Sequence, residues 1–158
     1  MLDRVAMRLL RPGLQASARA AHRLGWRADQ VTLAGFAIGI AAAVAIALGH
    51  PLWGLALLAA SRWCDGVDGA LARLTAPTER GGFLDITLDF LFYASIPLAF
   101  AFADPRANAL AAAVLLAAFI GTATTFLAFA ALAAQRGLKS VSYPTKGVYY
   151  LGDLTEAT

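Results

Sequence analysis

No charged side chain interrupts the nineteen residues from Val31 to Gly49, and this run limits the chain to very few folds. A helix rises about 1.5 Å per residue, so roughly 20 apolar residues cross the hydrocarbon of a bilayer, where the backbone must satisfy its own hydrogen bonds. The rest of the chain agrees: 59% of its 158 residues are hydrophobic and only 15% are charged, against about a quarter in ordinary soluble domains. The chain is therefore read as all-α, a single polytopic bundle of membrane helices.

Turn and cap signals divide it into four transmembrane helices, at 31–49, 51–73, 81–103 and 108–135, with an arm at 1–28 and a tail at 136–158. Asp29 is placed to cap the first span. Gly49-His50-Pro51 is a turn, and Pro51 suits a first helical position because its missing N–H is no loss there. Gly81 and Gly82 lead into the third span, Asn108 is placed to cap the fourth, and Arg136-Gly137 ends it. Gly35 and Gly39 stand four apart, a spacing that lets helices approach closely.

The arm holds six arginines, Arg4, Arg8, Arg11, Arg19, Arg23 and Arg27, interleaved with leucines. Pro12-Gly13 interrupts it, so two short amphipathic pieces are expected at the membrane surface, arginines toward lipid phosphates and leucines toward acyl chains. Membrane lipids, not nucleic acid, are its expected partners. Arg73, Arg80, Arg136, Lys139 and Lys146 fall on the same side as the arm, and only Arg106 on the other. By the positive-inside rule that side is cytoplasmic, in an integral protein of a bacterial inner membrane.

The second and third spans carry four carboxylates toward the connection that joins them, Asp65, Asp68, Asp85 and Asp89. A charge inside a membrane costs several kcal/mol, so a cluster of four marks a functional site. The members of each pair are three or four residues apart and share a helix face. Brought together they would repel unless cations neutralised them. An all-oxygen donor set fits Mg²⁺ or Mn²⁺, with two ions as a clamp on a phosphate ester or diphosphate. Gly66, Gly69 and Ala72 leave one helix face without bulk, which serves either close helix packing or a flat ligand ring. Beside metal ligands the second is favoured.

The pattern Asp65-x2-Asp68-Gly69-x2-Ala72-Arg73, then Gly81-x3-Asp85-x3-Asp89, resembles the signature of the CDP-alcohol phosphotransferases, membrane enzymes of phospholipid synthesis. Seven residues separate Arg73 from Gly81 where the family usually has eight, and Ala28-Asp29 replaces Pro-Asn in a Pro-Asn-x-x-Thr entry to the first span. The resemblance implies one metal shared by Asp65, Asp68 and Asp85 and a second shared by Asp65, Asp85 and Asp89. It implies that Asp89 takes the proton from an attacking alcohol, that Gly69 and Ala72 lie under cytidine, and that Thr32 and Arg73 hold the nucleotide end. The implied reaction moves a phosphatidyl group from CDP-diacylglycerol to an alcohol acceptor and releases CMP. Glycerol 3-phosphate, serine and inositol phosphate are candidate acceptors. The family also implies a homodimer of six-helix subunits, so a chain truncated at its C-terminus is expected here.

Two other functions compete. A prenyl-diphosphate transferase would need a second aspartate-rich motif, and a non-catalytic paralogue or metal-binding membrane protein would keep the helices without turnover. Arg62 lies within a span and needs a partner, with aspartates one turn away. Tyr143, Tyr149, Tyr150, Trp26, Trp53 and Trp63 are read as interface anchors. Thr122, Thr124 and Thr125 are read as bonded to helix carbonyls, and Cys64 as an inert thiol.

Overall fold

A computed structural model describes the backbone of residues 2–136 and the side chains from Leu9 onward. Five helices make up that part, α1 (Leu2–Arg23), α2 (Ala28–Ala47), α3 (Pro51–Thr75), α4 (Glu79–Ala103) and α5 (Pro105–Gln135). The expected all-α membrane bundle is borne out. The tail, with Lys139, Lys146, Tyr143, Tyr149 and Tyr150, lies outside the described residues.

Three of these helices, α2, α4 and α5, are long and apolar enough to cross a membrane. Four spans were expected. α3 has the length, 25 residues, but Arg62, Asp65, Asp68 and Arg73 in its second half depart from the composition of a simple span. Large apolar side chains stand exposed along the bundle, among them Leu55, Phe102, Leu110, Val114 and Ile120, as lipid-facing residues do.

The packing order has α2 at its centre. α2 lies against α3 and α4, α4 against α5, and α1 against α3, while the backbones of α3 and α4 make no contact with each other. Two glycines make this possible. A Cβ on Gly35 would come within 2.9 Å of Cys64 Cβ on α3, and one on Gly39 would come within 2.6 Å of Phe92 on α4 and 2.9 Å of Ser61 Oγ on α3. Ser61, fully buried, donates to the Gly35 carbonyl at 2.8 Å, a tie worth about 0.6 kcal/mol between membrane helices.

The arm departs from expectation. It is one helix with Pro12 inside it, although proline removes an intrahelical bond. Leu14 and Ala18 are buried with Val67, Ala70 and Leu71 of α3, so this apolar stripe faces protein, where acyl chains were expected. Gly13 seats the Trp63 ring, 2.9 Å from where its Cβ would be, which makes Trp63 a packing residue on α1 as well as a ring near the surface. Leu9 and Leu24 remain exposed.

Two caps shift, by two and by four residues, from the positions expected. Arg27 takes the N-cap of α2, with its N–H bonded to Gln30 Oε1 at 2.9 Å, and Asp29 falls in the first turn. Asp104 caps α5 by accepting from Ala107 N at 3.1 Å, and Asn108 donates to the Phe100 carbonyl. The cause lies in Pro105, which takes the first helical position and leaves the cap to the residue before it. Thr122, Thr124 and Thr125 do bond to carbonyls one turn back.

Gly39→Val should lower stability by about 1–3 kcal/mol through overpacking. Gly121→Ala, where nothing lies within 4 Å of the added Cβ, should leave stability unchanged or raise it by up to ~1 kcal/mol through helix propensity. Thermal unfolding of both variants in one detergent checks the pair.

Candidate metal and nucleotide site

The gap between α3 and α4, floored by α2, is where the charged residues meet. Asp65 and Asp68 project from α3 and Asp85 from α4, and one carboxylate oxygen of each lies within 4.8 Å of the others. The cleft they line also takes in Thr32 and Phe36 of α2 and Leu88 and Asp89 of α4. The Thr32 hydroxyl donates to the Ala28 carbonyl at 3.0 Å and is also a hydrogen-bonding neighbour of Asp68. Sequence spacing put the two pairs on facing helices. Their convergence depends on α2, because α3 and α4 meet only through side chains.

Asp68 is the most buried of the acids, 5% exposed, and its Oδ2 is shut away from solvent with no hydrogen-bond partner. A buried carboxylate oxygen without a partner costs several kcal/mol. A divalent cation among three carboxylates removes that cost, and hard oxygen donors suit Mg²⁺ or Mn²⁺. The donor set therefore fits a metal of that kind.

Asp89 stands apart from the three. Arg62 donates from Nη1 to Asp89 Oδ1 at 3.0 Å, and the same nitrogen lies 3.5 Å from Asp65 Oδ2. The guanidinium carbon sits 4.1 Å above the Phe92 ring centroid and 5.7 Å from that of Tyr93, a cation–π placement that strengthens away from water. The partner that Arg62 required is thus chiefly Asp89, across the helix gap. This ion pair was not legible as part of the site, since only its i, i+3 relation to Asp65 lies within one helix.

The nucleotide-side residues sit together at the end of α3. A Cβ on Gly69 would have as its nearest neighbour the Arg73 guanidinium, at 3.5 Å, so this face is open except for a flexible cation. Ala72 is half-buried and Arg73 exposed. Gly66 is different. A Cβ there would come within 2.8 Å of Leu14, so this glycine serves the seating of α1 and leaves the expected ligand face to Gly69 and Ala72. Asp29 and Gly81 form a link that sequence reasoning missed. Arg80 Nε lies 3.4 Å from Asp29 Oδ2, and Gly81 lets Asp29 approach to 3.3 Å of its missing Cβ. Thr78 accepts from Gly81 N at 3.0 Å to start α4. The α3–α4 connection is thereby tied to the start of α2.

A family model described as CDP-alcohol phosphatidyltransferase matches residues 26–149. The chain is 50% identical to inner membrane protein YnjF of Escherichia coli strain K12 over 158 residues, which is 100% of the chain and 77% of that protein. It is 50% identical over 72 residues to archaetidylinositol phosphate synthase of Methanothermobacter thermautotrophicus, covering 45% of the chain and 37% of the relative. With the protein of the same name from Pyrococcus horikoshii it shares 35% identity over 97 residues, 61% of the chain and 51% of the relative. No solved structure matches it.

Loss of a carboxylate from the group of three should weaken metal binding by at least the roughly 10–100-fold typical of supporting residues around metals. Asp68→Asn and Asp85→Asn should show this for Mn²⁺ followed by its electron paramagnetic resonance, and Asp104→Asn, at the far end of α4, should not.

Proposed function

Since the chain belongs to the CDP-alcohol phosphatidyltransferase family, we propose that it transfers a phosphatidyl group from CDP-diacylglycerol to an alcohol acceptor and releases CMP. The observation that carries this is the meeting of Asp65, Asp68 and Asp85, with a buried Asp68 oxygen lacking a partner, next to the open Gly69 face. Asp65, Asp68 and Asp85 would hold a divalent ion, which when bound supplies positive charge to the donor's diphosphate. The second ion that the family resemblance implies, drawing on Asp65, Asp85 and Asp89, would meet Arg62 already bonded to Asp89 at 3.0 Å.

The remaining roles follow from position. Gly69 and Ala72 offer the flat face for cytidine, and Arg73, one turn on, reaches the nucleotide end. Thr32 lines the same cleft from α2. The acceptor's hydroxyl oxygen bonds to the phosphorus that carries the diacylglycerol, the bond from that phosphorus to the CMP oxygen breaks, and Asp89 takes the hydroxyl proton. α3 is read as crossing the membrane with its charged half at the cytoplasmic face, where a donor with a soluble head and a lipid tail meets the cleft. A homodimer belongs to the same proposal.

Inositol phosphate is the acceptor to try first, because two relatives are named archaetidylinositol phosphate synthase. Glycerol 3-phosphate and serine follow. The prenyl-diphosphate alternative finds no support, as the described residues bring together one aspartate group only.

The full chain in detergent, given CDP-diacylglycerol, Mg²⁺ and each acceptor in turn, should release CMP. Absence of CMP with every acceptor, from a folded sample, would sink the proposal and favour a non-catalytic protein. Asp89→Asn should slow turnover by about 10²–10⁴-fold, the usual worth of a positioned proton acceptor, while Mn²⁺ binding persists.

A further inference from the structure

Asp65 and Asp89 are two of the three carboxylates that the second divalent ion implied by the resemblance would draw on, and one nitrogen of Arg62 already bridges them, at 3.5 Å and 3.0 Å. The guanidinium is held there from behind by Phe92, 3% exposed, whose ring it covers at 4.1 Å. It stays despite a buried Nε with no hydrogen-bond partner, which is unfavourable for a charged donor. What holds the side chain in place is the two carboxylates and the ring. Asp65, Asp68 and Asp85 meet without it.

We propose that Arg62 stands in the second cation position, so that the protein binds one divalent ion through Asp65, Asp68 and Asp85 while the guanidinium bridges Asp65 and Asp89. The inference rests on reading those three carboxylates as a metal site. Arg62 is then a positioning residue: it fixes the Asp89 carboxylate toward the cleft and contributes a permanent, delocalised charge beside it. Arginine suits this place better than lysine, because its planar fork can bond two carboxylates at once and stack on an aromatic face. Asp89 is by this account a partner of Arg62 and not a ligand of the bound ion.

The test counts ions on the purified full chain with Mn²⁺ alone, by equilibrium dialysis and electron paramagnetic resonance. The wild type should bind one Mn²⁺ per chain with an uncoupled signal. Arg62→Met should bind two with a spin-coupled signal, and Arg62→Lys, which keeps a cation, should return to one. Two ions on the wild type, or one on folded Arg62→Met, would overturn the inference and leave the metal site standing. No bound Mn²⁺ on the wild type would overturn the metal site itself and this inference with it. Should Arg62→Met fail to fold, Asp89→Asn decides: the count should stay at one with affinity within about threefold of wild type, and a tenfold loss would show that Asp89 is a ligand.

Discussion

The close approach of α2 to both α3 and α4 at Gly39 is the constraint on which the rest depends. A single missing Cβ faces Phe92 of α4 on one side and Ser61 of α3 on the other. Because α3 and α4 share no backbone contact of their own, the alignment of their aspartates is inherited from the helix between them. Water-driven hydrophobic association is weak inside lipid, where tails are as apolar as leucine. Close van der Waals packing at small residues takes its place. Gly35 and Ser61 reinforce the arrangement with a buried hydrogen bond. Below this level, Arg80 and Asp29 tie the polar connection to the start of α2.

The electrostatics of the cleft follow from that geometry. Four carboxylates at the ends of two helices cannot be tolerated near lipid unless their charge is balanced. On the reading proposed above, the task is divided between a built-in cation and a bound one. Arg62 serves Asp89 and the outer side of Asp65, and the proposed metal would sit on the buried side of the group, where Asp68 Oδ2 has no protein partner. In the proposed reaction the same division would separate the two chemical demands of transfer to an alcohol, which are charge beside a diphosphate and an acceptor for a proton.

Much of this was legible in the residues. The charge-free run from Val31 to Gly49 placed the chain in a membrane, and the spacing of Asp65, Asp68, Asp85 and Asp89 placed them on facing helices. What escaped sequence reasoning depended on contacts between distant segments. Pro12-Gly13 reads locally as a break, yet burial of Leu14 and Ala18 against α3 offsets the lost bond and keeps one helix. Gly66 and Gly69 look alike three residues apart, but only Gly66 lies under Leu14. Asp104 could have been preferred to Asn108 as a cap from Pro105 alone. Arg62 announced a need for a partner, and nothing within α3 indicated that the stronger partner would be Asp89, 27 residues on.

The central claim is that the α3–α4 gap is a divalent-metal site for a CDP-linked donor. Anomalous X-ray diffraction from crystals of the full chain grown with Mn²⁺ and CDP tests it most directly. The account predicts a manganese peak among the carboxylates of Asp65, Asp68 and Asp85, with the CDP phosphates beside it and the cytosine over Gly69. A manganese peak elsewhere, or CDP bound away from these three residues, would contradict it.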